Sequence, residues 1–397
     1  PLQKSATIVH GNALRTDWQS LIDPLPFEDG TGVYDYILGN PPFIGSKLMT
    51  EEQRNDIKKL YLDVDGAGVL DYVTGWYNLA AKYIQGETTK VAFVSTNSIS
   101  QGEQVGIIWN ELLNTYKIKI LFAHQTFKWN NEARGIAAVY CVIVGFGTSE
   151  INEKRIFQYE DIKGEPHEIK VANINPYLVE GKNIIISKKQ NPICPVPKMS
   201  FGNMPLDGGN LLLSDEEKIE LLKNEPDAEK FVRPLISAKE FLNGEKRWCL
   251  WLVDALPNEL KKLPLILERV KKVKEFRESS IAPSTRKFSN TPSLFRDRQT
   301  PDSYIVIPST TSENRRYIPL GIFTKNEIAN NSTHIIPLGQ LYHFGVLTSE
   351  IHMTWVKYVC GRLESRFRYS KDIVYNNYPW PENPTAKQKE AVEKAAQ

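Results

Sequence analysis

A tetrapeptide with unusual chemistry follows a short apolar strand near the N-terminus. Residues 36–46 read YILGNPPFIGS, so Asn40 and two prolines come directly after the strand and Phe43 follows them. Proline has no N–H donor and fixes its own φ, so the carbonyl groups around it are held in direction without a competing donor. The side-chain oxygen of Asn40 and the carbonyl of Pro41 therefore form two rigid hydrogen-bond acceptors, beside a ring that can stack on a planar ligand.

Two aimed acceptors suit methyl transfer to an exocyclic amine of a base. The N6 lone pair of adenine is delocalised into the ring, and acceptors that hold both N6 hydrogens favour a pyramidal, nucleophilic nitrogen. Asn40 and the Pro41 carbonyl can accept these two hydrogen bonds, Pro42 stiffens the turn, and Phe43 can stack on the base. A base in a duplex must be flipped out to reach such a pocket. A rigid strand-to-loop turn without catalytic function is the alternative.

The elements that must position this tetrapeptide alternate between short apolar strands and helical patterns. This alternation predicts a doubly wound α/β sheet, in which ligands bind at the carboxyl ends of the strands. Thr50 followed by Gln53 predicts a capped helix start. The strands on either side of residue 130 are nearly consecutive, which allows an antiparallel pair at the sheet edge.

The composition and the secondary-structure pattern of the chain change after residue 150. Prolines become frequent and short β-like pieces alternate with turns, which predicts a second, loop-rich, mixed α/β domain. A long helix is expected across 258–278 with a bend at Pro264, and a polar helix capped by Thr385 ends the chain. The predicted domains are 1–150, 151–384 and 385–397.

Charge is unevenly distributed, although the net charge is only +2. Residues 1–150 hold 12 basic and 16 acidic side chains, whereas 151–397 hold 37 and 31, and 261–298 hold 11 and 4. A basic stretch favours an anionic partner, with a solvated helix face as the alternative.

No apolar run approaches the ~18 residues of a membrane span. The four cysteines lie far apart, which predicts a reducing compartment and no zinc site.

Four longer stretches are distinctive, namely GNPPFIGSK, FVSTNSISQGEQV, FKWNNEARGIAAVYCVIVGF and YSKDIVYNNYPWP. Residues 40–43 resemble motif IV of the amino-group DNA methyltransferases, and the four stretches together resemble the MmeI-like group of type II restriction–modification enzymes. The resemblance implies part of a class I methyltransferase sheet followed by a target-recognition domain. It also implies site-specific adenine-N6 methylation of double-stranded DNA, S-adenosylmethionine as methyl donor, no metal in this part of the chain and a bacterial cytoplasmic location.

The resemblance further implies roles for individual residues. The turn in VHGNALRTDW looks like the strand end that contacts the adenine of the cofactor. The cofactor-binding residues are therefore expected to be Asn12, Ala13 and Asn40. The candidates for stacking on the flipped base are Phe43, Phe127 and Trp129. Trp129 is preferred over Phe127, and ordinary core packing is the alternative for both.

One departure from this group concerns the N-terminal side. A nuclease and a glycine-rich cofactor loop should precede Asn12, and only eleven residues do so here. We therefore expect a C-terminal part of a larger enzyme, without the N-terminal nuclease and cofactor-binding segments of the same polypeptide. Such a part should neither cut DNA nor bind the cofactor well by itself.

Loops of the second domain hold the candidates for DNA contacts. Phosphate contacts position a protein on DNA, and arginine is the commonest reader of guanine. The candidates are Arg286, Lys287, Arg296, Arg298, Ser309, Asn314, Arg315 and Arg316. A surface salt bridge is the alternative for each arginine. Lys271, Lys272 and Lys274 of the basic helix are expected to face solvent or phosphate.

Two other functions stay open on sequence alone. The first is a methyltransferase that acts on RNA or on a protein glutamine, because the same tetrapeptide serves other planar amides and amines. The long second half counts against it. The second is a non-catalytic DNA-binding module, and the intact NPPF sequence counts against that.

Overall fold

The computed structural model describes residues 8–22, 32–129 and 139–397, and the chain divides into two compact units. The first unit comprises Pro1–Lys188 and Tyr358–Ser365, and the second comprises Lys189–Lys357 and Arg366–Gln397. Each unit has its own buried apolar core.

A six-stranded mixed sheet forms the centre of the first unit. Its strands are β1 (Tyr36–Gly39), β2 (Lys90–Thr96), β3 (Lys119–Trp129), β4 (Val139–Gly147), β5 (Lys154–Gln158) and β6 (His167–Val171). Their order is β1-β2-β4-β3-β5-β6. β1, β2, β3 and β5 run parallel, and β4 and β6 are antiparallel to their neighbours. The α/β class is confirmed. The β3–β4 pair is antiparallel, as the sequence allows, but it lies inside the sheet and not at its edge, because β5 and β6 extend the sheet past β3.

Helices of the first unit pack on this sheet through an aromatic core. They are α1 (Glu51–Leu60), α2 (Thr74–Tyr83) and α3 (Glu103–Asn110), with 3-10 turns at Gln19–Leu21, Ala67–Val69 and Asn97–Ser100 and a π-helical turn at Glu111–Thr115. Thr50 and Gln53 form the predicted capping box at the start of α1. Tyr77 of α2 stacks on Phe146 at 5.5 Å and meets Phe93 edge-on at 5.3 Å, which fixes α2 against β2 and β4.

The second unit contains short strands in several small sheets. They are β7 (Ser200–Phe201), β8 (Leu212–Leu213), β9 (Val232–Ile236), β10 (Trp248–Leu250), β11 (Ser303–Pro308), β12 (Thr310–Thr311), β13 (Gly321–Thr324), β14 (Ile328–Ala329) and β15 (Thr333–Pro337). Near the C-terminus, β16 (Gly361–Leu363) belongs to the first unit and β17 (Arg366–Arg368) to the second. One sheet has the order β14-β9-β10-β8, another β13-β11-β15-β7, and β17 pairs with β12.

Helices of the second unit lie between these strands. They are α4 (Asp215–Asn224), α5 (Ala238–Asn243), α6 (Pro257–Leu260), α7 (Pro264–Glu278), α8 (Pro283–Arg286), α9 (Leu341–Leu347), α10 (Glu350–Val359) and α11 (Ala386–Ala396), with a 3-10 helix at Pro226–Phe231 and a π-helical turn at Lys371–Tyr375. The helix expected across 258–278 is two helices, α6 and α7. The break falls before Pro264, which lacks an N–H and disfavours helical backbone in the preceding residue.

Unit boundaries differ from the predicted domain boundary at residue 150. The first unit continues to Lys188 because β5 and β6 pair with the sheet. Thr385 caps α11 through a hydrogen bond from the Gln388 amide to its hydroxyl. Within the described ranges, no helix combines the length and the apolar composition needed to cross a membrane.

Candidate functional site

A cavity of about 440 Å³ opens beside the carboxyl end of β1. Its walls come from β1, from the tetrapeptide and from rings of neighbouring elements. The lining residues are Ala13, Trp18, Leu21, Tyr34, Tyr36, Ile37, Leu38, Gly39, Asn40, Pro41, Pro42, Trp76 and Phe93. This volume lies within the range of small-molecule sites, and the walls are mostly apolar and aromatic, as such sites usually are. The predicted ligand edge of the sheet therefore contains a concave site.

The two acceptors of the tetrapeptide are free to bind a ligand. Asn40 is exposed and Pro41 is buried. Neither the Asn40 side chain nor the Pro41 carbonyl forms a hydrogen bond within the part of the chain that the structure describes. Gly39 allows this arrangement, because a Cβ at this position would lie only 3.1 Å from the Phe93 ring. The chain thus leaves β1 close against the core and presents two unused acceptors.

Asp71 clamps the loop that follows the tetrapeptide. Its Oδ1 accepts a hydrogen bond from the Ser46 amide at 3.1 Å, and its Oδ2 accepts one from the Ser98 hydroxyl at 2.6 Å. The Tyr72 amide donates to the Ile44 carbonyl at 2.9 Å. The loop after Phe43 is therefore held to the segment before α2 and to the end of β2.

The Asn12 side chain is already engaged by protein groups. Its Nδ2 donates to Asp56 at 3.2 Å and to the Tyr72 hydroxyl at 3.1 Å, and its Oδ1 accepts from the Leu14 amide at 3.0 Å. Hydrogen bonds from Arg15 lower the pKa of the buried Asp56, so this carboxylate stays ionised. A ligand donor at Asn12 would use the remaining lone pair of Oδ1. Of the three predicted cofactor-binding residues, Ala13 and Asn40 line the cavity.

Phe127 and Trp129 stand at the carboxyl end of β3, on the same sheet edge as the tetrapeptide. Phe127 lies opposite Cys141 of β4, and Cys141 in turn lies opposite Thr96 at the end of β2. The Phe127 ring is stacked on Tyr159 at 5.2 Å, whereas Trp129 is 42% exposed. Neither residue lines the cavity beside β1, and Phe43 is only half-buried and also lies outside its lining. Trp129 has the freer ring, consistent with the preference for it.

The first group of predicted DNA contacts surrounds the end of α7. Arg286 is exposed, and its Nη1 donates to the carbonyls of Ser280 and Ile281 at 2.7 and 3.0 Å. Arg296 pairs with Asp297 at 2.8 Å. Lys287 and Arg298 are exposed, and neither forms a side-chain hydrogen bond or ion pair with any other described residue. These two cations are free to meet an anionic partner.

The second group lies in the segment 309–316. Asn314, Arg315 and Arg316 are exposed, and Arg316 pairs with Glu350 at 3.0 Å. The Ser309 hydroxyl is instead buried and lacks a hydrogen-bond partner, so it does not face solvent. Ser309 directly follows β11, in which every residue after Ser303 is buried. The Ser309 side chain therefore lies in the interior and not on a surface that DNA could reach.

Sequence reasoning missed one exposed cation near this segment. β17 places the exposed Arg368 opposite Thr310, at the base of the segment 309–316. The alternation of Arg366 and Arg368 with the buried Phe367 and Tyr369 is the strand pattern that could have shown it. On α7, the three lysines face solvent, which is one of the two expected environments, and each pairs with a glutamate one turn away. The pairs are Lys271–Glu275, Lys272–Glu268 and Lys274–Glu278.

The residues of the cavity fit part of a methyl donor of the S-adenosylmethionine type. Aromatic and apolar walls suit an adenine ring and a thioether chain. None of the lining residues in the described ranges carries a carboxylate to hold a ribose diol or an ammonium group.

Within those ranges, no group of three or more His, Cys, Asp or Glu side chains is placed to hold a metal ion.

Comparisons with known proteins cover nearly the whole chain. Residues 1–158 match the MmeI DNA-methyltransferase domain, and residues 180–382 match the MmeI target recognition domain. A Bacillus subtilis (strain 168) protein named DNA methyltransferase A is 41% identical over 394 residues, which cover 99% of this chain and 44% of that protein.

A solved structure of the type IIL restriction-modification enzyme MmeI in complex with DNA is 46% identical, with a TM-score of 0.88 over 100% of this chain and 52% of that chain. The chain thus spans about half the length of these relatives. The strand with its unused acceptors and the loop-rich second unit are accounted for by one assignment: the chain belongs to the MmeI family and carries its DNA-methyltransferase and target recognition domains.

Proposed function

We propose that this chain supplies the catalytic tetrapeptide and the sequence-reading surface of a site-specific DNA adenine-N6 methyltransferase that uses S-adenosylmethionine. The proposal rests above all on one observation. Asn40 and Pro41 both line a cavity of about 440 Å³, and the Asn40 side chain and the Pro41 carbonyl lack a hydrogen-bond partner among the described residues. Unpaired polar groups on residues that line an apolar cavity are suited to receive the donors of a ligand.

The chemistry follows from the position of these acceptors. The amine of a flipped adenine would donate one hydrogen bond to Asn40 Oδ1 and one to the Pro41 carbonyl. Both bonds strengthen as positive charge develops on the nitrogen, so they stabilise the transition state more than the ground state. When bound, the methyl donor supplies an electrophilic carbon on a sulfonium centre. The stacking residue is Trp129 in this proposal, because its ring is the more exposed of the two at the end of β3.

The isolated 397-residue chain should bind the methyl donor weakly and transfer little methyl. The lining of the cavity offers walls for the adenine and sulfur parts but, among the described residues, no carboxylate for the polar ends. The second edge of β1 pairs with no strand among the described residues, and it exposes Tyr36 and Leu38 beside the cavity. Further strands of a longer polypeptide, placed at this edge, would complete the donor site.

Methyl transfer by the full-length enzyme tests the catalytic assignment. Labelled methyl is transferred to duplex DNA, and the modified nucleosides are identified by mass spectrometry. Asn40→Ala should lower the single-turnover rate by about 10²–10³, the cost of removing one preorganised group, while Asn55→Ala, which changes an exposed amide on α1, should not. Wild-type rates for Asn40→Ala, or a product other than N6-methyladenine, would refute the proposal. Calorimetric titration of the isolated chain with S-adenosylmethionine tests the incomplete donor site.

A further inference from the structure

Arg277, near the end of α7, is a fully buried cation that hydrogen-bonds to no carboxylate. Its side chain is 0% exposed, and it forms no close salt bridge with the described residues. Burial lowers its pKa, and the charge of the nearby buried Asp207 opposes this shift only in part. A buried guanidinium without a directly bonded counter-ion needs its donors satisfied by other polar groups.

Five backbone carbonyls satisfy it. Nε donates to Leu206 at 2.8 Å and Nη2 to Pro205 at 3.0 Å. The other three bonds reach one irregular segment of the second unit. Their acceptors are the carbonyls of Phe288 at 2.9 Å, Thr291 at 2.8 Å and Leu294 at 2.8 Å. All five N–H donors of the guanidinium can thus be used, and the fork geometry matches acceptors on two different segments at once.

The segment held in this way, 287–298, contains predicted DNA contacts. It lies outside the helices and strands, so its shape does not come from a regular hydrogen-bond ladder. Beyond Leu294, its other anchors are the Arg296 amide bonded to the Met204 carbonyl at 2.9 Å and the buried Phe295 ring. The cations Lys287 and Arg298 stand at its two ends and are exposed. The side chain of Arg277 therefore joins three carbonyls of this segment to those of Pro205 and Leu206.

We propose that Arg277 is a positioning residue for DNA sequence recognition, which holds the segment 287–298 in the one conformation that can read bases. The inference rests on the proposed DNA-reading function of the second unit. Arg277 itself cannot touch DNA, because it is enclosed by the segments that it joins. Its removal should therefore act on discrimination between sequences more than on general affinity for phosphates.

Two variants and a matched control test this inference in the full chain. Arg277→Met removes all five donors, and Arg277→Lys keeps the charge but leaves at most three donors. Arg269→Met is the control, since Arg269 lies on the same helix and bonds to Glu217 and to the carbonyls of Asn210 and Leu212, outside the segment 287–298. Hydrogen exchange of each variant reports folding and local protection without DNA.

Selection from a random duplex pool reports recognition. Wild type and Arg269→Met should enrich the same motif. Both Arg277 variants should exchange the amides of 287–298 faster, retain salt-dependent DNA binding, and lose discrimination at one or more positions by roughly 5- to 150-fold per base pair, with Arg277→Lys less affected.

Enrichment of the unchanged motif by a folded Arg277 variant would overturn the inference. So would a loss of protection across the whole second unit in both variants, since that identifies a general core residue. A wild-type chain that enriches no motif would refute the DNA-reading function itself and the inference with it. In that case the exchange data still report separately whether Arg277 orders the segment.

Discussion

The side chains of Asn40 and Arg277 differ in whether their polar groups form hydrogen bonds within the protein. Asn40 lines a cavity and its side chain has no hydrogen bond to another described residue, whereas Arg277 is enclosed and donates five hydrogen bonds to carbonyls. An unsatisfied polar group is tolerable where solvent or a ligand can reach it, and costly where neither can. The first pattern is typical of a group that acts on a ligand, and the second of a group that acts on its own chain.

Replacement of the two aromatic residues at the end of β3 should separate stacking from packing. Trp129→Ala should weaken the flipped state by about 1–3 kcal/mol, because one base then loses its stacking surface. Phe127→Ala should mainly lower thermal stability, because the Phe127 ring packs on Tyr159. Fluorescence of 2-aminopurine at the target position measures flipping, and thermal unfolding measures the packing effect. Equal flipping in wild type and Trp129→Ala would show that another residue stacks on the base.

Sequence alone could single out Asn40 as a candidate, but it could not show the surroundings of Arg277 or Ser309. Asn40 belongs to a local pattern, a strand followed by two prolines and a ring, in which the neighbours in sequence are the neighbours in space. The partners of Arg277 lie 11–17 positions away on one side and 71–72 on the other. Ser309 is a candidate as a hydroxyl in a loop-rich stretch, but the tertiary fold buries this hydroxyl.

At the scale of elements, the end of β2, the segment before α2 and the loop after Phe43 act together. Asp71 is the common point, since its carboxylate binds both Ser46 and Ser98. None of these groups lines the cavity. A clamp of this kind keeps the direction of the acceptors constant while a substrate enters, and this orientation is a large part of catalysis.

Loss of this clamp should slow catalysis without weakening DNA binding. Asp71→Ala removes the acceptor of both hydrogen bonds, and a misplacement of about 1 Å at the acceptors can cost about 10²-fold in rate. The single-turnover rate of the full-length enzyme should therefore fall by roughly 10- to 100-fold. Affinity for duplex DNA should stay within twofold, a range set by the ~0.4 kcal/mol scatter of surface substitutions.

Asp63→Ala is the matched control, because Asp63 is an exposed acidic residue of the same unit. The two variants should show the same DNA affinity and different rates. A rate for Asp71→Ala equal to that of the control would mean that the tetrapeptide needs no support from this carboxylate.

For the whole molecule, the formal charge of +2 says little about the DNA-binding surface. The lysines of α7 each lie beside a glutamate, so this basic helix presents a nearly neutral face. Lys287, Arg298 and Arg315 are exposed and form no side-chain ion pair within the described ranges. These three cations are better candidates for DNA contacts than the lysines of α7.

The salt dependence of DNA affinity should distinguish these two groups of cations. Log K falls with log[salt] with a slope of about −0.9 for each phosphate contact. Replacing Lys287, Arg298 and Arg315 by glutamine should reduce the magnitude of the slope by up to about 2.7, if each meets one phosphate. The control is the same change at Lys271, Lys272 and Lys274, which should leave the slope unaltered. A loss of slope only in the control set would assign the phosphate contacts to α7.

The sequence could predict the α/β fold class, but it could not predict where the first unit ends. Strand and helix periodicity carried the α/β assignment, because it depends on local patterns. The extension of the first sheet by β5 and β6 depends on pairing across the sheet, with Phe122 opposite Arg155 and Ile156 opposite Ile169. The change in proline content at residue 150 does not report such pairings, so the composition change precedes the end of the first unit.

The open side of β1 has a practical consequence for anyone who purifies this segment by itself. Four residues of β1 pair with β2 on one side only among the described residues, and Tyr36 and Leu38 are 65% and 75% exposed. An unpaired edge strand that exposes large apolar side chains can pair with the same strand of another copy of the chain. Self-association and precipitation should therefore rise with protein concentration, and a charged side chain in place of Leu38 should suppress them.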